Sequence, residues 1–320
     1  MHVKTHTFKS YQFLIYFVKI SIIVFSFYFI YYKLFNNNDL SISEFYTTIL
    51  TNNLFSLNSI FIITLLSGLN WFFEIIKWKY LVQTVKNITF KTAIEQTLGA
   101  HTASIFTPNR IGDYGAKALY FSSKLRIKIV GLNGIGNLAQ MLVTTIFGSI
   151  GLLFLFSNFK LQIHLKTLNW ITLSAFISFI FLLFTVLIHY KKTDTWIGKT
   201  KHFITSISPS LFFKTFLFSV IRYLIFSFQF YVLLDLFRVN LSYANAMMII
   251  SSMYLLVSVL PSIFIFDVVL KGGIAVYLFS FFNISEAIIL SCITIMWLFN
   301  VVIPSLLGCY YIMHFKFIKS

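Results

Sequence analysis

Apolar runs separated by short polar stretches recur along the whole chain, many of them near the 20 or so residues a helix needs to cross the hydrocarbon core of a bilayer. Set against their flanks, these runs predict membrane spans at residues 12–35, 56–76, 129–156, 168–189, 212–237 and 287–313. Transmembrane strands would show apolar and polar positions alternating over about ten residues. The run IILSCITIMWLFNVVIPSLLGCYYIM, residues 288–313, shows no such alternation. The expected fold class is therefore all-α, a polytopic helical membrane protein. The first run is too long for a signal-peptide core and lacks a small-x-small cleavage site, so it is expected to remain as an anchor.

Two apolar stretches are left over, at residues 92–123 and 243–283, and a proline breaks each of them. The first contains FTPNRIGDYGAKALYF (106–121) and the second LPSIFIFDVVLKGGIAVYLF (260–279). In both, an aspartate (Asp113, Asp267) follows the proline (Pro108, Pro261) and a lysine (Lys117, Lys271) follows one helical turn later. Glycines lie close by: Gly112 and Gly115 in one, Gly272 and Gly273 in the other. Each half then reads span, span, broken hairpin, span, which predicts one domain built of two repeats, about 12–156 and 168–313. The first limb holds Glu95, Gln96 and His101, which favours re-entrant hairpins over the alternative of eight complete spans. Non-helical backbone at membrane depth persists only inside protein or beside a water-filled cavity. Paired helix interruptions in two halves mark the binding site of many transporters.

Charge then fixes an orientation. The formal net charge is +16, but nucleic-acid binding would need a basic face on a soluble surface. Here the basic residues flank apolar runs, and no nucleic-acid partner is expected. Lys4, Lys9, Lys77, Lys79, Lys86, Lys91, Lys124, Arg126, Lys128, Lys191, Lys192, Lys199, Lys201, Lys214, Lys316 and Lys319 all fall on one side of the predicted topology. The positive-inside rule makes that side cytoplasmic, puts both termini there and inverts the second half relative to the first. Cys292 and Cys309 lie in the last apolar run, in no metal or disulfide pattern, and read as packing residues.

Candidate chemistry gathers at the broken hairpins. Pro108 ends one helix, Gly112 suits the turn, and Asp113 is expected to cap the helix that follows. Arg110 is left projecting, with a planar fork of donors that suits phosphate. Asp267 is read as the matching cap of the second hairpin. Within the spans, Asn70, Glu74 and Lys77 share one helix face, and Arg222 and Gln229 share a face of the equivalent span. Glu74 and Arg222 are expected either to pair or to present opposite charges to a headgroup. The candidate substrate-binding set is Arg110, Lys117, Arg222, Asp113 and Glu74, with Pro108, Gly112, Pro261, Asp267 and Lys271 shaping the tips. Asn137 and Gln140 face either the cavity or a helix neighbour. No metal-binding spacing on a helix, no phosphate-cradling glycine loop and no carboxylate cluster occurs, so no catalytic residue, metal or cofactor is expected.

The segments NWFFEIIKWKYLV (70–82), SIFTPNRIGDYGAKAL (104–119) and GNLAQMLVTTIFG (136–148), together with the second proline hairpin, resemble the lysylphosphatidylglycerol synthase transmembrane region, or flippase-like, family. Pro108, Arg110, Gly112 and Asp113 match its proline-glycine-acid turn, whereas Asn137 and Gln140 stand where members often carry a charged pair. Large members join this module to an aminoacyl transferase domain. That domain is expected to be absent here, since the sequence ends seven residues after the last span. The resemblance implies a bacterial plasma-membrane protein, not an enzyme, that flips a phosphate-bearing lipid, whether anionic, aminoacylated or polyprenyl-linked. The alternatives are a membrane partner for a separate lipid-modifying enzyme or glycosyltransferase and, third, an intramembrane transferase. The oligomeric state is not legible.

Overall fold

The computed structural model describes residues 56–105, 107, 110–158, 208–259 and 264–315, with residues 264–270 described by their backbone alone. The predicted spans at 12–35 and 168–189, and the tip prolines Pro108 and Pro261, lie outside the described residues. The described chain forms eight helices and no strand. They are α1 (Leu57–Val82), α2 (Phe90–Ser104), α3 (Gly112–Leu119), α4 (Ser123–Asn158), α5 (Pro209–Leu236), α6 (Tyr243–Val259), α7 (Phe264–Ser280) and α8 (Glu286–His314). Within α8, a π-helical turn occupies Leu298–Val302.

Four helices, α1, α4, α5 and α8, are long and apolar enough to cross a membrane, and each coincides with a predicted span. Their starts follow from local chemistry. The hydroxyls of Ser56 and Ser208 accept from the backbone N–H three residues on, and Pro209 occupies the first turn of α5, where no N–H is missed. Thr89 caps α2 in the same way. The limbs of the first hairpin, α2 with 15 residues and α3 with 8, are too short for a full crossing, which takes about 20. Those of the second, α6 and α7 with 17 residues each, stand at the lower limit of about 17.

One boundary differs from the sequence reading in a way that matters. Helix α1 runs on to Val82, so Lys77, expected among the cytoplasmic basic residues beyond the span, lies inside the helix at 2% exposure. The ammonium is tolerated there because Glu74, one turn earlier, holds it at 2.8 Å.

The helices pack across the two halves of the chain. Helix α1 lies against α5, α2 lies against α8, and α6 lies against α4. The first limb of each hairpin therefore packs on the last long helix of the other half. Glycines make both approaches close. A Cβ at Gly308 of α8 would run into the Leu98 carbonyl and the Thr102 hydroxyl of α2, and one at Gly151 of α4 would run into the Met248 carbonyl and Ser252 of α6. Thr102 adds a hydrogen bond to the Ser305 carbonyl at 2.9 Å. Three apolar clusters result among the described residues: one around Trp78, Phe121, Ile129 and Leu132, a larger one mostly among α5 to α8 around Phe230, Ile249, Phe279 and Cys292, and a small one of Ile105, Trp297, Val301 and Val302. Large apolar side chains such as Phe61, Leu138, Leu153 and Phe213 stay exposed on α1, α4 and α5, as a lipid-facing surface requires.

Candidate functional site

The tip between α2 and α3 is organised by Thr107. Its hydroxyl donates to the Ser104 carbonyl at 2.7 Å and accepts from the Gly112 N–H at 3.0 Å. A side chain at position 112 would meet Thr107 and the Ser104 backbone, so glycine is needed there for close approach. Asp113, expected as the helix cap, is not the cap: Ile111 holds that position without a side-chain bond, and Asp113 stands in the first turn. Its carboxylate instead meets the buried Lys117 ammonium at 3.0 Å and accepts from Asn133 Nδ2 at 2.7 Å. Lys117 Nζ also donates to Asn133 Oδ1 at 2.9 Å and lies over the Trp78 ring. This closed triangle fastens α3 to α4. Asp267 likewise falls inside the first turn of α7, which begins at Phe264, rather than before it.

Arg110 sits on this tip with φ at 55°. Left-handed backbone costs a residue with a Cβ about 1–2 kcal/mol. Arg238 and Asn283, the other two such non-glycine residues among those described, each follow the end of a helix, where a left-handed residue is the usual termination. Arg110 sits in a tight turn, its backbone N–H donating to the Thr107 carbonyl at 3.1 Å. Strain held at a loop tip is a pointer to function, and the side chain it carries lines a cavity.

That cavity has a volume of about 690 Å³ and is walled by α1, the first tip and α4 to α8. Three cations line it: Arg110 from the tip, Arg222 from α5 and Lys271 from α7. Arg222 is pre-oriented. Its Nε donates to Asn70 Oδ1 at 2.9 Å and its Nη1 to Glu74 Oε2 at 2.6 Å, which leaves Nη2 without a protein partner among the described residues. Glu74 thus ties α1 to α5, as the pairing across the two halves predicts, and the same oxygen holds Lys77.

Asn300 anchors the far side of this network from the π-helical turn. Its amide accepts from Asn70 Nδ2 at 3.0 Å and donates to Gln229 Oε1 at 2.9 Å. The backbone of the turn is also engaged: Ser67 donates to the Phe299 carbonyl and Trp71 Nε1 to that of Asn300. Single π-helical turns recur at functional sites because they offer carbonyls that a regular helix would consume. Elsewhere in the wall, Gln140 Oε1, Tyr254 OH and Trp297 Nε1 are buried with no protein partner among the described residues. Each such group costs about 1–3 kcal/mol unless something satisfies it.

Of the residues singled out from sequence, Arg110 and Arg222 stand on the cavity wall and Glu74 directly behind it, while Asp113 and Lys117 are locked in their own pair off the wall. Lys271, read only as part of a tip, is on the wall. Asn300 was missed, although a lone amide inside IMWLFNVVIP was its signal. Trp297 and Tyr254 had none, since aromatic residues are common throughout the chain. A second hollow of about 400 Å³ lies by Lys91, Glu95, Tyr120 and His314 at the ends of α2 and α8. Among the described residues, no group of three His, Cys, Asp or Glu side chains is placed to hold a metal.

Long apolar helices packed around a cation-lined cavity define a multi-pass helical membrane protein. Residues 15–308 match the family described as the lysylphosphatidylglycerol synthase TM region, and the chain belongs to that family. No curated protein and no solved structure matches it.

Proposed function

We propose that this protein is a lipid flippase that admits the headgroup of a phosphate-bearing lipid to the central cavity while the lipid tail stays in the bilayer. The convergence of Arg110, Arg222 and Lys271, from three separate elements, on one cavity inside an apolar helical body carries this reading. Charged side chains away from the membrane surface are costly and are retained where they serve a pathway or site. Arginine forks suit phosphate, and Arg222 is held in place before any ligand arrives. Asp113 and Lys117 serve by fastening α3 to α4, away from the wall, and Glu74 by orienting Arg222. The exchange of hairpins between the halves supports a two-repeat molecule in which one half rocks against the other, with the inverted orientation implied by the charges at the span ends. The setting is the bacterial plasma membrane, with both termini cytoplasmic. A lipid is the partner.

The test is translocation of labelled lipids in proteoliposomes, comparing the intact protein with Arg110→Ala, Arg222→Ala and, as a surface control, Lys128→Gln. Headgroup-selective movement lost in both arginine variants and kept in the control is the expected result. A folded protein that moves no phosphate-bearing lipid would shift the reading to a membrane partner of a separate lipid-modifying enzyme. Product formed from defined lipid donors by the pure protein would make it a transferase.

A further inference from the structure

The hollow at the start of α2 and the end of α8 has a volume of about 400 Å³ and shares no lining residue with the central cavity. Four aromatic residues, Tyr120, Tyr310, Tyr311 and Phe315, line it together with Lys91 and Glu95. Tyr120 is fixed to α2, its hydroxyl donating to the Glu95 carbonyl at 3.2 Å. Gly99 makes room for it, since a Cβ there would run into the Tyr120 hydroxyl and touch Tyr311. Tyr120 meets Phe315 edge to face with ring planes 63° apart, and Tyr310 meets Tyr311 at 79°, so the rings form corners and not a stack.

Lys91 and Glu95 stand one turn apart on α2, a spacing at which opposite charges commonly pair. They do not pair here, and among the described residues the Glu95 carboxylate makes no ion pair and accepts no hydrogen bond. A carboxylate and an ammonium held apart beside aromatic rings are complementary to a zwitterion. Aromatic rings attract an ammonium, as a carboxylate does, and a lysine attracts phosphate as a point charge. Helix α8, apolar and long enough to cross the bilayer, ends at His314, and Tyr310, one turn before that end, is 61% exposed. The hollow therefore lies at the end of a span, the level at which lipid headgroups sit. We propose that it is a second lipid site, which holds a zwitterionic phospholipid headgroup with its ammonium against Glu95 and the rings and its phosphate beside Lys91. This assignment is independent of the flippase reading of the central cavity.

Equilibrium binding of short-chain lipids to the purified full chain in detergent tests it. Phosphatidylethanolamine should bind at least about tenfold more tightly than its N-acetyl form, which keeps the phosphate and loses the positive charge. N-methylation, which adds bulk and keeps the charge, should cost less than about threefold. Glu95→Gln should abolish the preference for the charged amine without moving the melting temperature, because that carboxylate has no partner to lose among the described residues. Lys91→Gln should weaken the charged and acetylated lipids by a similar factor, and unchanged affinity for both would remove Lys91 as the partner of the phosphate. Equal binding of the charged and acetylated lipids overturns the proposal. So does an N-methyl lipid as weak as the acetylated one, since size and not charge would then be selected, and so does a preference that survives Glu95→Gln. Free phosphoethanolamine should compete at least about tenfold less well than the lipid, whose tails add apolar contact. Equal competition would make the ligand a soluble zwitterion and remove the lipid site.

Discussion

Arg222 Nη1 and Lys77 Nζ converge on a single oxygen of Glu74, at 2.6 and 2.8 Å. A cation on the cavity wall and a cation buried behind it are therefore both held by one carboxylate, which links α1 to α5. Breaking a buried ion pair by deleting one partner costs about 3–5 kcal/mol, because the remaining charge is stranded. Glu74→Gln should lower stability by about 3 kcal/mol, and Glu74→Gln/Lys77→Met should regain most of the loss. Thermal unfolding of the purified protein in detergent measures both, and a single variant as stable as the parent would show that the shared carboxylate is not what holds the two helices.

The Asp113–Lys117–Asn133 triangle makes a separable prediction. Lys117 is 3% exposed and lies off the cavity wall. Asp113→Asn should thus destabilise the protein, by about 3 kcal/mol if the ammonium stays charged. Affinity for a phosphate-bearing headgroup at temperatures well below unfolding should stay within about twofold, a change worth only about 0.4 kcal/mol. A large loss of affinity without loss of stability would return Asp113 and Lys117 to the binding site itself.

At Arg110, backbone and side chain should pull in opposite directions. Arg110→Gly relieves the left-handed strain, so it should be more stable than Arg110→Ala by about 1 kcal/mol, while both lose headgroup binding. Melting temperatures that do not separate the two variants would mean that the tip is not held at the positive φ described.

Two helix glycines offer a matched comparison. A Cβ at Gly308 meets the Leu98 carbonyl and Thr102, whereas one at Gly273 meets nothing within 4 Å. Gly308→Ala should cost about 1–3 kcal/mol by overpacking. Gly273→Ala should be neutral or stabilising by up to about 1 kcal/mol, the difference in helix propensity. The ranking of the two melting temperatures decides the matter, and the reverse order would contradict the close contact of α2 with α8.

Much of this architecture can be read from the sequence because membrane spans announce themselves by length and composition, and those at 56–76, 129–156, 212–237 and 287–313 recur as helices. The Glu74–Arg222 pair was legible for a related reason. Charges in apolar helices are few, so they have few partners to choose from. Lys77 was misplaced because a lysine near the end of an apolar run looks like a cytoplasmic anchor, and only its distance to Glu74 reveals burial. Asp113 looked like a cap because aspartate before a helix usually is one. What no local pattern could supply was Thr107 in the capping role and Asn133 waiting across the turn. Lys271 reaches the cavity through the packing of α7, a three-dimensional fact with no local trace, whereas Asn300 left one, a lone amide within an apolar run.

The packing of α2 on α8 also sets a timetable for biogenesis. Thr102 bonds to Ser305, 203 residues further along the chain, and Gly308 receives the same turn of α2. At a synthesis rate of about 5–20 residues per second, the segment carrying Gln96, His101 and Thr102 waits on the order of 10–40 s for its mate. Through that interval these polar groups must be shielded by water, the insertion machinery or another part of the nascent chain. Maturation of the first half is in this sense deferred, and a ribosome stalled before α8 would leave behind an intermediate that quality-control proteases can recognise.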